Sequence, residues 1–387
     1  MNHYLNATTA ALQPSGIRKF FDLVATKKNI ISLGVGEPDF VTPWTIRESG
    51  IFALEQGQTM YTSNAGLIEL RQELSKYLSV HMELDYQPEG EILITVGASE
   101  AVDLVMRALL APGDAVLVPE PSYVSYAPCA LLAGADVRYI PTTAQHEFRL
   151  KAADLEKHYT PNAKLLVLNY PNNPTGAIMT REDLLEIAEF VAAHDLLVLS
   201  DEAYADLTYS RQHTSFASLP GMKDRTLYVG SFSKSYAMTG WRIGYLAGHP
   251  ELLQGMLKIH QYVIMCASRM AQTAALEALR SAEAAKTEML ISYNQRRRFM
   301  IEGFRKMGLD CFEPLGAFYI FPSIQKTGLT SDAFVNTLLE EENVAAVAGT
   351  AFGPSGEGHI RCSYACSLEQ LEEAMNRIER FVQKRFK

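Results

Sequence analysis

The chain has 387 residues, too many for one simple core and suited to one large domain plus a smaller one. Hydrophobic residues make up 48% and charged residues 20%, and 35 basic residues against 44 acidic ones give a formal charge of −9. That charge is spread along the chain, which argues against a nucleic-acid or anionic-membrane partner. Five cysteines, an odd number without a Cys-x-x-Cys, argue against a disulfide scaffold or a zinc ribbon. Cys362 and Cys366 have no histidine cluster to complete a metal half-site, so no metal is expected. Met1 to Ala11 carries no basic region followed by an apolar run, and no apolar stretch reaches about 18 residues. A cytoplasmic, soluble protein with no membrane partner is the expectation.

In chain order, residues 92–96 form a short β-rich run ending in Gly97, and the pattern predicts a helix from Ser99 with Ala101, Leu104, Val105, Ala108 and Leu109 on one face. Pro112-Gly113-Asp114 marks a turn, and strands are expected over 115–118, 137–140 and 164–168. A helix follows over 181–194, with Thr180 as its N-cap and Asp183 at the third helical position. Residues 196–199 make a wholly apolar strand, followed by strands at 226–229 and 243–247. Residues 252–280 read as long helical sequence. From about Asn294 the texture changes to a basic helix, short strands near 318–321 and 359–364, and a closing amphipathic helix over 368–381.

Strands that alternate with helices and are apolar on both faces argue for an α/β fold with a mostly parallel sheet covered on both sides. The expected division is a large domain over 46–290, with 1–45 and 291–387 forming a smaller α+β domain. Polar residues recur just after the strands, where ligands bind in open α/β sheets.

The segment Ser231-Phe232-Ser233-Lys234-Ser235-Tyr236-Ala237-Met238-Thr239-Gly240-Trp241-Arg242-Ile243-Gly244 carries the most chemistry. Most lysines are solvated surface residues. Lys234 instead follows a strand amid small residues, with Arg242 eight positions on. A reactive amine beside a second cation able to hold a phosphate suits a Schiff-base cofactor. Asp201, after the apolar strand, is either an ordinary loop carboxylate or the partner that keeps a cofactor ring nitrogen protonated. Tyr204, three residues on, could donate to the cofactor's phenolate oxygen. Asn173, in the turn Asn172-Asn173-Pro174-Thr175-Gly176, could meet the same oxygen. Gly97-Ala98-Ser99 opens a helix, and with Ser231 and Arg242 it would complete a dianion site. Tyr123 is a core tyrosine or a ring that stacks on a planar heterocycle. Arg361, in an apolar strand, needs an anionic partner: a substrate α-carboxylate or a structural carboxylate. Neither a dinucleotide fingerprint, a P-loop lysine, a Gly-x-Ser-x-Gly elbow nor a His-Glu-x-x-His occurs.

Together with Gly34-Val35-Gly36-Glu37-Pro38-Asp39-Phe40, Tyr61, Gly66 and Glu69-Leu70-Arg71, the set resembles the pyridoxal-phosphate-dependent aminotransferases of fold type I, class I/II. The likeness runs from about Ile17 to the last helix. It implies pyridoxal 5′-phosphate as cofactor and a ping-pong exchange between an L-amino acid and a 2-oxo acid, with 2-oxoglutarate as the expected acceptor. It implies that Lys234 forms the Schiff base and then moves the proton between Cα and C4′. Asp201 would pair with the ring nitrogen, Tyr204 and Asn173 with O3′, and Tyr123 with the ring face. Ala98, Ser99, Ser231 and Arg242 would hold the phosphate. Tyr61 would reach the phosphate of the neighbouring subunit in a homodimer. Ile17, Gly36, Asn173 and Arg361 would contact substrate, Arg361 through the α-carboxylate, with Ile17 closing over it. The lysine segment and Pro314-Leu315-Gly316-Ala317-Phe318-Tyr319-Ile320-Phe321 are similar to bacterial aminotransferase A and to enzymes acting on N-acetyl-LL-diaminopimelate. Aspartate and aromatic aminotransferases share the skeleton. A β-eliminating lyase on the same fold, or a non-catalytic binding module, are the remaining alternatives.

Overall fold

The computed structural model describes residues 2–14, 16–17, 29–209 and 212–385. Among the described residues twelve strands follow one another: β1 (Ile31–Ser32), β2 (Ile92–Thr95), β3 (Ala115–Glu120), β4 (Asp136–Pro141), β5 (Ala163–Asn169), β6 (Leu197–Asp201), β7 (Thr226–Ser231), β8 (Gly244–Ala247), β9 (Tyr319–Ile320), β10 (Val344–Ala345), β11 (Val347–Ala348) and β12 (Ile360–Ser363). Seven of them make one sheet in the order β2-β8-β7-β6-β5-β3-β4. Only β8 runs against the rest. Successive strand residues face opposite sides, so each strand feeds two cores. Val116 and Val118 of β3 join Leu104 and Val105 of the helix Gly97–Leu109 on one face. Leu117 of the same strand joins Leu184, Ile187 and Val191 of the helix Arg181–Ala193 on the other. This two-sided burial is why the inner strands are largely apolar, whereas the edge strand β4, with Asp136 and Arg138, is mostly exposed.

The carboxyl ends of the parallel strands bring the polar residues together. Asn169 of β5 pairs with Asp201 of β6, and Asp201 with Val229 of β7, two residues before Ser231. Thr180 caps its helix as expected: its hydroxyl accepts from the Asp183 N–H, and the Asp183 carboxylate accepts from Thr180 in a reciprocal capping box.

A second core gathers Leu33, Phe304, Phe318, Phe334, Ile360 and Phe381. It lies among the helices Glu283–Lys306, Ser331–Glu342 and Leu368–Gln383 and the antiparallel sheet β11-β12-β9. The N-terminal strand β1 pairs in parallel with β10 beside this core.

Three local expectations change. The helix after β2 begins at Gly97 rather than Ser99, with Gly97 at φ +76°. The long helical stretch is two helices, Pro250–Val263 and Arg269–Ser281. The break passes through Met265 at φ +72°, whose carbonyl accepts from the Asn64 side-chain amide at 2.7 Å. No glycine or proline marks that break, so pattern alone reads through it. The basic helix starts at Glu283, not near Asn294, and crosses the expected boundary at 290/291. Its first turn is bound to the large sheet's side by Lys286, whose ammonium lies 3.1 Å from the Asp206 carboxylate.

Candidate active site

A cleft of about 790 Å³ opens at the carboxyl ends of β5, β6 and β7. Ile17, Gly36, Ala98, Ser99, Tyr123, Asn173, Asp201, Tyr204, Ser231, Lys234, Arg242 and Arg361 all line it. Tyr61 does not; it lies on the surface, 75% exposed.

Lys234 sits in the short helix Phe232–Ser235 that follows β7 directly. Its Nζ donates to the carbonyl of Gly36 at 2.6 Å and lies 5.8 Å from the ring centre of Tyr204. Burial lowers its affinity for a proton, Glu37 opposes that, and Arg361 and Arg242 add to it, leaving the amine at about 8. Gly36 is required here, because a Cβ on it would stand 2.5 Å from the Tyr319 hydroxyl.

Asp201 ends β6 and is buried. It accepts from the Tyr126 hydroxyl at 2.7 Å and from the Ala203 N–H at 3.2 Å. Burial raises its pKa, and these hydrogen bonds work against the rise. The Tyr204 hydroxyl shares a 2.8 Å hydrogen bond with that of Tyr319. Residues 203–206 are a turn rather than a helix, yet the Tyr204 side chain faces the same cleft as Asp201.

The same cleft has the elements of an anion cradle. Ala98 and Ser99 occupy the first turn of the helix Gly97–Leu109. Arg242 takes up φ +53° and donates Nη1 to the Thr239 carbonyl at 2.9 Å, without a carboxylate partner among the described residues. It packs so closely on Gly97 that a Cβ there would stand 2.7 Å from Nη2. Ser231 accepts from the Ser233 N–H at 3.1 Å, which leaves its own O–H free to donate.

Arg361 enters from β12, 2% exposed. It donates to Asn173 Oδ1 at 2.9 Å and to the Gly34 carbonyl at 2.6 Å, and its Nε has no partner. The guanidinium lies between the rings of Tyr319 and Phe352, 4.5 and 4.8 Å from their centres. Reading the sequence singled out neither Tyr126 nor Tyr319 as a site residue. Both sit in apolar surroundings where a tyrosine reads as core; a hydroxyl needing a partner was the available signal.

A half-buried lysine, a buried carboxylate and a cationic cradle around one cleft of a doubly covered, mostly parallel sheet define a pyridoxal-phosphate enzyme of fold type I. Residues 28–378 match the family "Aminotransferase class I and II". The chain is 51% identical over 384 residues to "Putative aminotransferase YugH" of Bacillus subtilis (strain 168), covering 99% of this chain and 100% of that one. It is 43% identical over 385 residues to "Probable N-acetyl-LL-diaminopimelate aminotransferase" of the same organism, covering 100% and 97%. The solved structure of an aromatic aminotransferase from Pyrococcus horikoshii OT3 superposes with a TM-score of 0.91 at 44% identity, covering 95% of this chain and 99% of that one. The chain belongs to the class I and II aminotransferases, which are pyridoxal 5′-phosphate-dependent enzymes.

The residues present fit that cofactor. The buried Asp201 carboxylate suits a protonated ring nitrogen, and the cradle of Ala98, Ser99, Ser231 and Arg242 suits a phosphate. The described residues hold no group of side chains suited to a metal ion, and no helix among them is long and apolar enough to cross a membrane.

Proposed function

We propose that the protein transfers an amino group from an L-amino acid to a 2-oxo acid by a ping-pong mechanism, with Lys234 as the proton carrier. The observation that carries this reading is the Lys234 amine, which lines the cleft, donates to the Gly36 carbonyl and is held at about 8. An amine of that affinity is substantially neutral near pH 8, as a nucleophile and base must be.

Pyridoxal 5′-phosphate supplies an electron-withdrawing ring that stabilises negative charge at the substrate Cα. Asp201 holds the ring nitrogen protonated and is itself kept ionised by Tyr126. Ala98, Ser99, Ser231 and Arg242 fix the phosphate, while Tyr204 and Asn173 bind O3′. Tyr123 stacks on the ring. Arg361 takes the substrate α-carboxylate on its fork, and Gly36 leaves room for the substrate beside Tyr319. Lys234 Nζ removes the Cα proton, carries it and returns it. Ile17, at the cleft mouth, excludes water once substrate is bound.

We assign N-acetyl-LL-diaminopimelate as the donor to test first and 2-oxoglutarate as acceptor, supported by the full-length likeness to the Bacillus subtilis relative of that description. An aromatic or aspartate donor is the second reading, favoured by the likeness to the Pyrococcus horikoshii structure for the aromatic case. We also assign a homodimer in which Tyr61 completes the partner's phosphate site. Trp44, Phe52, Met60, Tyr61 and Tyr262 are all more than half exposed, an unusual apolar display for a monomer. The five unpaired cysteines agree with a cytoplasmic setting.

The test is a donor screen against 2-oxoglutarate that follows oxo-acid and glutamate formation, with sedimentation to give the assembly state. Stoichiometric glutamate from N-acetyl-LL-diaminopimelate supports the assignment. Pyruvate and ammonia from cystathionine, without glutamate, would replace transamination by β-elimination.

A further inference from the structure

Glu100 lies one residue beyond Ser99, in the first turn of the helix whose start forms the phosphate cradle. Its carboxylate is nearly enclosed, at 11% exposure. Oε2 accepts from the Val96 N–H at 2.5 Å, so the side chain reaches back over the helix entry. Oε1 lies 2.6 Å from Nδ1 of His260, which comes from the separate helix Pro250–Val263 and is fully buried. A carboxylate only accepts, so Nδ1 carries the proton of this bond. The other ring nitrogen, Nε2, is buried without a partner. A buried histidine with half its hydrogen-bonding capacity unused needs an explanation.

The placement supplies one. A bare carboxylate in this turn would oppose a phosphate dianion and would cancel part of the positive helix terminus. Glu100 is nevertheless useful there, because it satisfies the Val96 N–H and fixes the turn that aims the Ala98 and Ser99 backbone at the cleft. We propose that His260 is a positioning residue for cofactor binding. It holds the Glu100 carboxylate by a hydrogen bond from Nδ1–H, outside the cleft that neither residue lines, so that the helix entry is pinned without turning the carboxylate towards the phosphate. This inference rests on the reading of Ala98 and Ser99 as phosphate ligands.

The experiment titrates cofactor-free protein with pyridoxal phosphate and, separately, with pyridoxal, which lacks the phosphate, following the absorbance of the Schiff base. The proteins are wild type, His260→Gln, Glu100→Gln and the double variant. His260→Gln should weaken pyridoxal phosphate binding roughly ten- to a hundredfold, the range set by leaving a buried charge unpaired. Pyridoxal binding should change much less. Adding Glu100→Gln, whose amide oxygen can still accept from the Val96 N–H, should recover most of the loss. Equal weakening of both aldehydes, or a double variant no better than His260→Gln, would overturn the proposal in favour of a purely structural pair. Should His260→Gln not fold, Glu100→Gln decides: a large loss of phosphate-dependent affinity there also overturns it. Wild-type protein that forms no Schiff base with either aldehyde would instead refute the cofactor site itself.

Discussion

Tyr126, which lines the cleft, donates its hydroxyl to the Asp201 carboxylate at 2.7 Å. Both groups are buried, and this bond favours the charged form of the carboxylate against the cost of burial. Burial raises the Asp201 pKa and the Tyr126 hydrogen bond lowers it. Tyr126→Phe removes only the lowering contribution and therefore moves Asp201 further towards its neutral form. The expected outcome is a fall in kcat of roughly tenfold with the cofactor retained, against a hundredfold or greater loss for Asp201→Asn. Spectral titration of the bound cofactor should show the change in ring protonation. A Tyr126→Phe protein with wild-type kcat and spectrum would mean that Ala203 and the rest of the site suffice to keep Asp201 charged.

Lys234 gives a prediction about stability as well as activity. In the folded protein its amine sits at about 8, against about 10.4 in an unfolded chain. Between those values the unfolded state holds the extra proton, so this group's contribution to stability rises with pH. Its penalty is complete below pH 8 and disappears above about 10.4. Cofactor-free Lys234→Met should therefore lose turnover yet be more stable than wild type at pH 7, by about 2 kcal/mol, with the advantage shrinking towards zero by about pH 10.5. Urea unfolding of both proteins at the two pH values checks it. A constant difference would assign the effect to packing rather than to the buried charge. In wild type, Schiff-base formation with added pyridoxal phosphate should speed up as pH rises through about 8.

The cradle makes a separate demand on Gly97. The residue has φ +76°, and a Cβ on it would approach Arg242 Nη2 to 2.7 Å. Gly97→Ala is strained by its backbone and displaces the guanidinium. It should cost about 1 kcal/mol of stability. It should also loosen the cofactor roughly tenfold through the misplaced Arg242, measured as release of pyridoxal phosphate on gel filtration. Gly113 at φ +99° has no atom within 4 Å of its would-be Cβ and serves as the control. If Gly113→Ala loosens the cofactor equally, backbone strain alone explains the result.

These relationships also show where the sequence is legible. Lys234, Asp201, Asn173 and Arg242 stand out because each pairs an informative residue type with a strand end or a glycine turn, and one sheet edge gathers strand ends. The apolar strands are legible because burial on both faces removes polar residues altogether. The break at Met265 leaves no such trace. It is made by a hydrogen bond from Asn64, some 200 positions away in the chain, and no local propensity records it. Tyr126 and Tyr319 are hidden for a related reason: their rings pack as core residues, and only the fold shows which partner each hydroxyl finds. Strand β1 is two residues long and forms only because β10 lies beside it.

Arg361 allows the sharpest separation of substrate binding from cofactor binding. Its guanidinium is held in plane by the rings of Tyr319 and Phe352 and in rotation by Asn173 and Gly34. The unpartnered Nε shows that these contacts do not exhaust its donors. A fork so oriented matches the two oxygens of a carboxylate, whereas a lysine presents a single point charge. Arg361→Lys keeps the charge and loses the geometry. The expected result is a fall in kcat/KM of roughly a hundredfold for the amino donor, chiefly through a raised KM. The acceptor oxo acid shares the α-carboxylate, so its KM should rise in parallel. Cofactor affinity should stay near wild type, because the hydrogen bonds of Arg361 go to Asn173 and Gly34 and not to Ser99, Ser231 or Arg242. A variant that loses cofactor in proportion to activity would place Arg361 in the architecture of the cleft, and one that changes the donor's KM but not the acceptor's would exclude the shared carboxylate as its ligand.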